Sequence, residues 1–242
     1  MARLFEANSL LDAWKTVSNE LLSDNYQKNI IIEISNPCDF QSLPSILMDH
    51  NPSDVTGNFN NDNIKNVINT IFPYKVALRF NNRQLFYDHY ISVHSKAKRI
   101  RKQRWGTYFE RLINFPKSAK KQENLNQLEN AISALNGNSK CKNYINFHLS
   151  SINIESNAIP VGGPCWHFGQ LLINDDNSID FVALYRNHDY FRKALGNFIG
   201  LSKLLEYICL QTNRNAGKLI IHSVSAYFDV SKKSFTSLIE GL

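Results

Sequence analysis

No run of about 20 apolar residues occurs in this chain, so no helical bilayer span is expected. The opening Met1-Ala2-Arg3-Leu4-Phe5-Glu6 also lacks the apolar core of a secretory signal. Both absences point to a soluble, cytoplasmic protein without a membrane partner. Cys38, Cys141, Cys165 and Cys209 are widely scattered and form no Cys-x-x-Cys pair, which argues against the common zinc and dithiol redox sites. Free thiols in a reducing compartment are the expectation. There is no Gly-rich phosphate loop of the Walker or dinucleotide kind and no internal repeat.

What is present is enough apolar material for one core: 242 residues, 43% hydrophobic and 20% charged. A single domain over 1–242 follows. The net charge of +6 favours anionic partners such as nucleotides, nucleic acids or acidic surfaces. Much of it lies in Lys96-Ala97-Lys98-Arg99-Ile100-Arg101-Lys102-Gln103-Arg104, where six of nine residues are cationic. That run reads either as a solvated face or as a phosphate-contacting surface.

Apolar spacing after Ser9 predicts a capped amphipathic helix over 9–22, and the β-branched stretch 29–35 predicts a strand ending at Asn36-Pro37. Asn and Asp crowd 51–63, which reads as a polar loop. A short helix is expected over 64–72, whereas 75–93 is rich in aromatics and β-formers without a clear period. Helices are predicted over 123–135 and 197–209, and strands over 144–154, 168–173, 179–185 and 218–224. Asn174-Asp175-Asp176-Asn177 is a hairpin turn between two of these strands. Helices and strands mixed without strict βαβ alternation give an α+β fold class.

Cys165, in Gly163-Pro164-Cys165-Trp166-His167, follows a proline at the entrance to a strand, a place where a sulfur can face a cleft. A nucleophilic thiol needs a cation nearby, and Arg186, at the end of the next strand, is the obvious supplier. Its planar fork also suits phosphate oxygens. An inert buried thiol is the competing reading for Cys165, and the favoured one for Cys38, Cys141 and Cys209. A surface ion pair is the competing reading for Arg186 and Asp189, and a helix N-cap for Asn197.

Pro164-Cys165-Trp166-His167, Leu184-Tyr185-Arg186-Asn187-His188-Asp189, Leu195-Gly196-Asn197 and Ser225-Ala226-Tyr227 together resemble the thymidylate synthase and pyrimidine nucleotide hydroxymethylase superfamily. That family carries Pro-Cys-His, Gln-Arg-Ser-x-Asp, Leu-Gly-x-Pro-Phe-Asn and Asp-x-His-x-Tyr in this order. The separations from Arg186 to Asp189 and from Asp189 to Asn197 match without a gap, whereas the Leu195-Gly196 pair departs from the pattern by directly preceding Asn197. Upstream, Gly106-Thr107-Tyr108 resembles the family's Gly-x-x-Tyr-Gly segment, and Ser139-Lys140-Cys141-Lys142 sits where the family has Ser-Arg-Arg. The motif-bearing part is 105–230, and 1–95 is a diverged N-terminal part.

The resemblance implies a three-layer α+β domain with a mixed β-sheet, paired face to face into a homodimer. It also implies that Cys165 adds to carbon 6 of a pyrimidine, making carbon 5 the acceptor of a one-carbon unit from methylene-tetrahydrofolate. Arg186 and Asn187 would bind the 5′-phosphate, helped by Lys140 or Lys142 from a second protomer. Asn197 would read the pyrimidine edge, favouring dUMP, because cytosine-directed relatives tend to carry aspartate there. Ser225 and Tyr227 would contact the sugar, Asp189 would order the pyrimidine and folate side, and Tyr108 would lie near the proton transfers.

Departures from the pattern are Trp166 after the cysteine, Ser225 in place of histidine, no counterpart of the Glu-Leu-x-Trp segment, and an end at Leu242 where the family runs further. Glu110 is a stand-in candidate for the missing glutamate. Two alternatives therefore stay open. One is a nucleotide-binding homologue without turnover, acting as a sensor or regulatory subunit, and the other is a nucleic-acid-binding protein that uses the basic run.

Overall fold

The Ser9 hydroxyl accepts the Asp12 N–H at 3.2 Å, satisfying one of the helix-start donors that have no partner inside the helix. In the computed structural model, which describes residues 1–44, 47, 61–100, 106–118, 121–137, 145–151 and 163–242, this cap opens α1 (Leu10–Ser23). β1 (Arg3–Ala7) precedes the helix, and β2 (Tyr26–Ile34) returns parallel to it. Of the expected polar loop, 51–60 lies outside the described residues, and its end already belongs to α2 (Asn61–Ile71). The aperiodic aromatic stretch is helical, forming α3 (Tyr74–Ala77) and α4 (Arg83–Ile100).

The aromatics of that stretch serve a cluster between helices instead of a sheet face, which is why no period of two shows. Phe72 lies 5.5 Å from Phe109 and 4.8 Å from Tyr207 between ring centroids, and Phe86 lies 5.2 Å from Phe109. Phe109 belongs to α5 (Tyr108–Ile113), started by the Thr107 hydroxyl, which accepts the Glu110 N–H at 3.0 Å.

β3 (Phe115–Ser118) and β4 (Lys121–Leu125) form a small hairpin. The helix expected from 123 begins later, as α6 (Gln127–Asn136), because the Asn126 side chain caps it by accepting the Glu129 N–H at 2.9 Å. β5 (Ile145–His148) is shorter than the expected strand. The remaining elements are β6 (Trp166–Ile173), β7 (Ser178–Tyr185), β8 (His188–Asp189), α7 (Ala194–Thr212), β9 (Asn215–Tyr227) and α8 (Lys232–Gly241). The β6–β7 turn falls where expected, with Asn177 in the left-handed region at φ 67°.

The sheet runs β1-β2-β9-β7-β6-β5, with β8 continuing alongside β9 beyond β7. Pairings β1–β2, β7–β9 and β8–β9 are parallel and the others antiparallel, so the α+β class that the sequence pattern predicts is built on a mixed sheet, the kind that the resemblance implies. One face carries Ile30, Ile32, Ile34, Leu219, Ile221, Phe181, Ala183 and Leu171 into the core against α1 and α7. The opposite face carries Ile31, Ile220, Val182, Leu184, Phe168 and Leu172, each half-buried, with Glu33, His222 and Gln170 interleaved among them. Among the described residues no helix is long and apolar enough to cross a membrane.

Helix α7 carries Asn197, and its height over the sheet is set by α2. A Cβ on Gly196 would come 2.9 Å from the Cβ of Val67, and one on Gly200 would come 3.0 Å from the Cβ of Ile71. Glycine at successive turns lets the two helices approach closely. Gly196→Ala is expected to cost about 1–3 kcal/mol through overpacking, read as a lower denaturant midpoint. An unchanged midpoint would show that Val67 yields freely.

Candidate active site

Cys165 lies at the bend just before β6, with its backbone held from both sides. Its carbonyl accepts the Arg186 N–H at 2.9 Å, one rung past the Trp166–Tyr185 pair that ends the β6–β7 ladder. Its own N–H and that of Trp166 both donate to the Tyr108 hydroxyl oxygen, at 3.1 and 3.2 Å. Arg186 turns its guanidinium to the same bend, donating from Nε to the Pro164 carbonyl at 3.0 Å and from Nη2 to the Gly163 carbonyl at 3.3 Å. The expected proximity of Cys165, Arg186 and Tyr108 is therefore built mainly through the backbone at 163–166.

Burial raises the Cys165 pKa above its ordinary value; Arg186 opposes this, Asp189 adds to it and Lys193 again opposes it. The resting group is therefore the thiol, and the cation expected to activate it is outweighed by desolvation. Alkylation of Cys165 by iodoacetamide, followed by peptide mass spectrometry, should still be accelerating at pH 9, because the thiolate is the reacting form. Asp189→Asn keeps an acceptor for the local turn and removes a negative charge, so the profile should move to lower pH. A rate already level between pH 7 and 8 would contradict this. Burial pushes Cys38 and Cys209 up to about 12, in keeping with inert thiols.

Tyr108 is buried, and burial pushes its phenol up to about 12, against the lowering effect of the two N–H bonds and Arg186. Asp189 pairs in register with Tyr227 across β8–β9. Its Oδ1 accepts the Phe191 and Arg192 N–H groups, each at 3.0 Å, and its Oδ2 accepts from Arg192 Nη1 at 3.3 Å. The ion-pair reading of Asp189 is thus realised with Arg192, which also reaches Asp229. Tyr227 senses Asp189 and Cys165 among its neighbouring charges, which places it in the same cluster. Asn187 and Ser225 are half-buried beside these residues in sequence.

Asn197 is not a cap. Helix α7 begins three residues earlier, and the Asn197 side chain is committed inside the fold, with Nδ2 3.1 Å from His188 Nε2. His188 Nδ1 is 2.8 Å from the Ser223 hydroxyl. The His188 ring stacks on Tyr185 at 4.2 Å and 4°. Tyr185 in turn stacks on Trp166, with its buried hydroxyl unpartnered among the described residues. Trp166 thus joins Tyr185 and His188 in a run of stacked rings, next to Cys165 in the chain.

Against this geometry, the comparisons with known proteins give one partial likeness. Over 80 residues the chain is 32% identical to a Methanococcoides burtonii protein named "Putative thymidylate synthase". The match takes in 33% of this chain and 36% of that protein, so the chain spans about a third of the length of the curated relative it matches. No family model matches.

Lys140 and Lys142 lie outside the described residues, as do Arg101, Lys102 and Arg104 of the basic run. Glu110 reaches His94 of α4, at 3.2 Å. Sequence reading missed Arg192 and Lys193, the two cations between Asp189 and Asn197. Lys193 is exposed and bears on the Cys165 charge, one helical turn before Asn197. The signal available was its spacing of four from Asn197. The Ser223 contact carried no local signal, since 35 residues separate it from His188.

Proposed function

We propose that the chain binds a pyrimidine nucleoside monophosphate, dUMP above others, where Cys165 meets the end of the sheet, and transfers a one-carbon unit to carbon 5. The observation that carries this reading is the meeting of Tyr108 and Arg186 at the Cys165 bend, with Asp189 and Tyr227 near enough for their charges to bear on Cys165, in the order of the thymidylate synthase pattern. The partial likeness to the Methanococcoides protein supports it.

Cys165 Sγ would add to carbon 6, moving an electron pair onto the carbon 5 enolate. Arg186, keeping Nε and Nη2 on the bend, would offer its remaining N–H groups to the 5′-phosphate with Asn187 beside it. Lys140 or Lys142 of a second protomer would add a cation there. Tyr227 and Ser225 would bind the sugar hydroxyl, and the Tyr108 proton would serve the transfers.

Methylene-tetrahydrofolate has N–H donors on its pterin edge and carboxylates on its tail. Asp189, whose Oδ2 bonds only Arg192 among the described residues, and exposed Lys193 have the chemistry to hold those ends. When bound, it would supply the carbon. The half-buried apolar sheet face, bearing Ile31, Val182, Leu184 and Ile220, supports a homodimer closed face to face, which sedimentation would show at twice the 27.8 kDa chain mass.

Isothermal titration with dUMP, dCMP and UMP tests the reading, and binding of none of them would overturn it. The raised Cys165 pKa favours a second reading, a nucleotide-binding homologue without turnover. Binding without carbon 5 hydrogen exchange would select it.

A further inference from the structure

The buried chain Ser223–His188–Asn197 has an arrangement of donors and acceptors that fixes which way the Asn197 amide faces. A primary amide presents one oxygen and two N–H groups, one pointing to the same side as the oxygen and one away from it. With Nδ2 at 3.1 Å from His188 Nε2, one N–H is spent on the imidazole. The carbonyl oxygen and the other N–H remain as an adjacent acceptor and donor. That pair complements the N3–H and O4 of uracil. Rotated by half a turn, the same amide would offer donor and acceptor in reversed places, complementing the N3 and 4-amino group of cytosine.

The rotation is controlled by the imidazole. For Nε2 to accept from Asn197, its lone pair must be bare and the single proton must sit on Nδ1. Ser223 Oγ, 2.8 Å from Nδ1, accepts that proton, and its own hydroxyl can then turn to the Tyr190 oxygen at 3.5 Å. Desolvation holds His188 far below the ordinary histidine value, at about 3, so the ring carries one proton, not two, near neutrality. Stacking on Tyr185 stops the ring from turning over to exchange its nitrogens. All three residues are buried, Asn197 least deeply, at 5% exposed against 1% for His188 and 0% for Ser223. Asn197 follows Lys193 by one turn on α7, and its backbone N–H donates to the Lys193 carbonyl at 2.8 Å.

We infer that His188, held as the Nδ1–H tautomer by Ser223, is the positioning residue that locks the Asn197 amide in its uracil-reading orientation and so sets the choice of uracil over cytosine. This rests on the nucleotide reading above. The full-length chain and its His188→Leu and His188→Gln variants are titrated calorimetrically with dUMP and dCMP. Leucine removes the acceptor, so the preference for dUMP should narrow by roughly tenfold, the worth of one oriented hydrogen bond. Glutamine, whose side-chain oxygen can take the place of Nε2, should restore it. A wild-type preference for dUMP that His188→Leu leaves unchanged overturns this inference alone. Wild type that binds neither nucleotide overturns the nucleotide reading and the inference with it. Should the variants not fold, nitrogen-15 NMR of wild-type histidine decides. A proton on Nδ1 with bare Nε2 is expected, and a proton on Nε2 overturns the lock.

Discussion

Replacing Cys165 by serine should abolish the dUMP-dependent exchange of the carbon 5 hydrogen with water, by at least roughly a thousandfold, while leaving nucleotide affinity within a few fold. Exchange requires only that Sγ add to carbon 6, that carbon 5 pick up a solvent proton, and that the original hydrogen leave as the adduct reverses. No one-carbon donor takes part, so the experiment isolates the sulfur. Serine keeps the backbone at the bend, where Tyr108 and Arg186 both bond main-chain atoms of residue 165. Release of tritium at the wild-type rate from the serine variant would place the chemistry on another residue. Because the resting group is the thiol, wild-type exchange should rise with pH through neutrality in step with alkylation.

The second large effect is expected at Arg186. On the proposed nucleotide reading, Arg186→Ala should weaken dUMP binding by roughly a hundredfold, since it would remove charge-assisted bonds to a dianionic phosphate. It also leaves the Pro164 and Gly163 carbonyls without their donor, so the bend that carries Cys165 should loosen. Deoxyuridine, which has no phosphate, separates the two effects. Its weaker binding should be nearly the same in wild type and variant if Arg186 acts through the phosphate, and should drop as well if the loss is one of bend geometry. Undiminished dUMP affinity in Arg186→Ala would remove Arg186 from the nucleotide site altogether.

Where the physics was local, the sequence was readable. Ser9 announces α1 because a hydroxyl at that position satisfies helix donors whatever the rest of the chain does. The Asn-Asp turn between β6 and β7 is readable for the same reason. The cluster around Cys165 was legible because a hairpin brings Arg186 back beside it, and β8 runs on directly from there. Residues 75–93 were not legible, since their aromatics pack into a cluster with Phe109 and Tyr207, whose positions no local period encodes. Asn197 was read as facing a ligand, and the contact of its amide with His188 was missed. His188 in the motif gives no sign that Ser223, on β9, will fix its tautomer.

Trp14 donates its indole N–H to the Tyr190 carbonyl at 2.8 Å, across 176 residues of chain, and Tyr26 of β2 pairs with Tyr227 of β9. An order of assembly is written into these contacts. β2, already paired with β1 on one side, has no partner on its other side until β9 has been made, and the turn carrying Asp189 is supported by Trp14 of α1. Folding of such a chain is slow, being governed by the loss of entropy in closing loops that span most of its length. During synthesis β2 offers an unpaired edge for as long as the ribosome takes to reach β9. A chaperone able to cover that edge is the kind of helper that would raise the yield of folded protein.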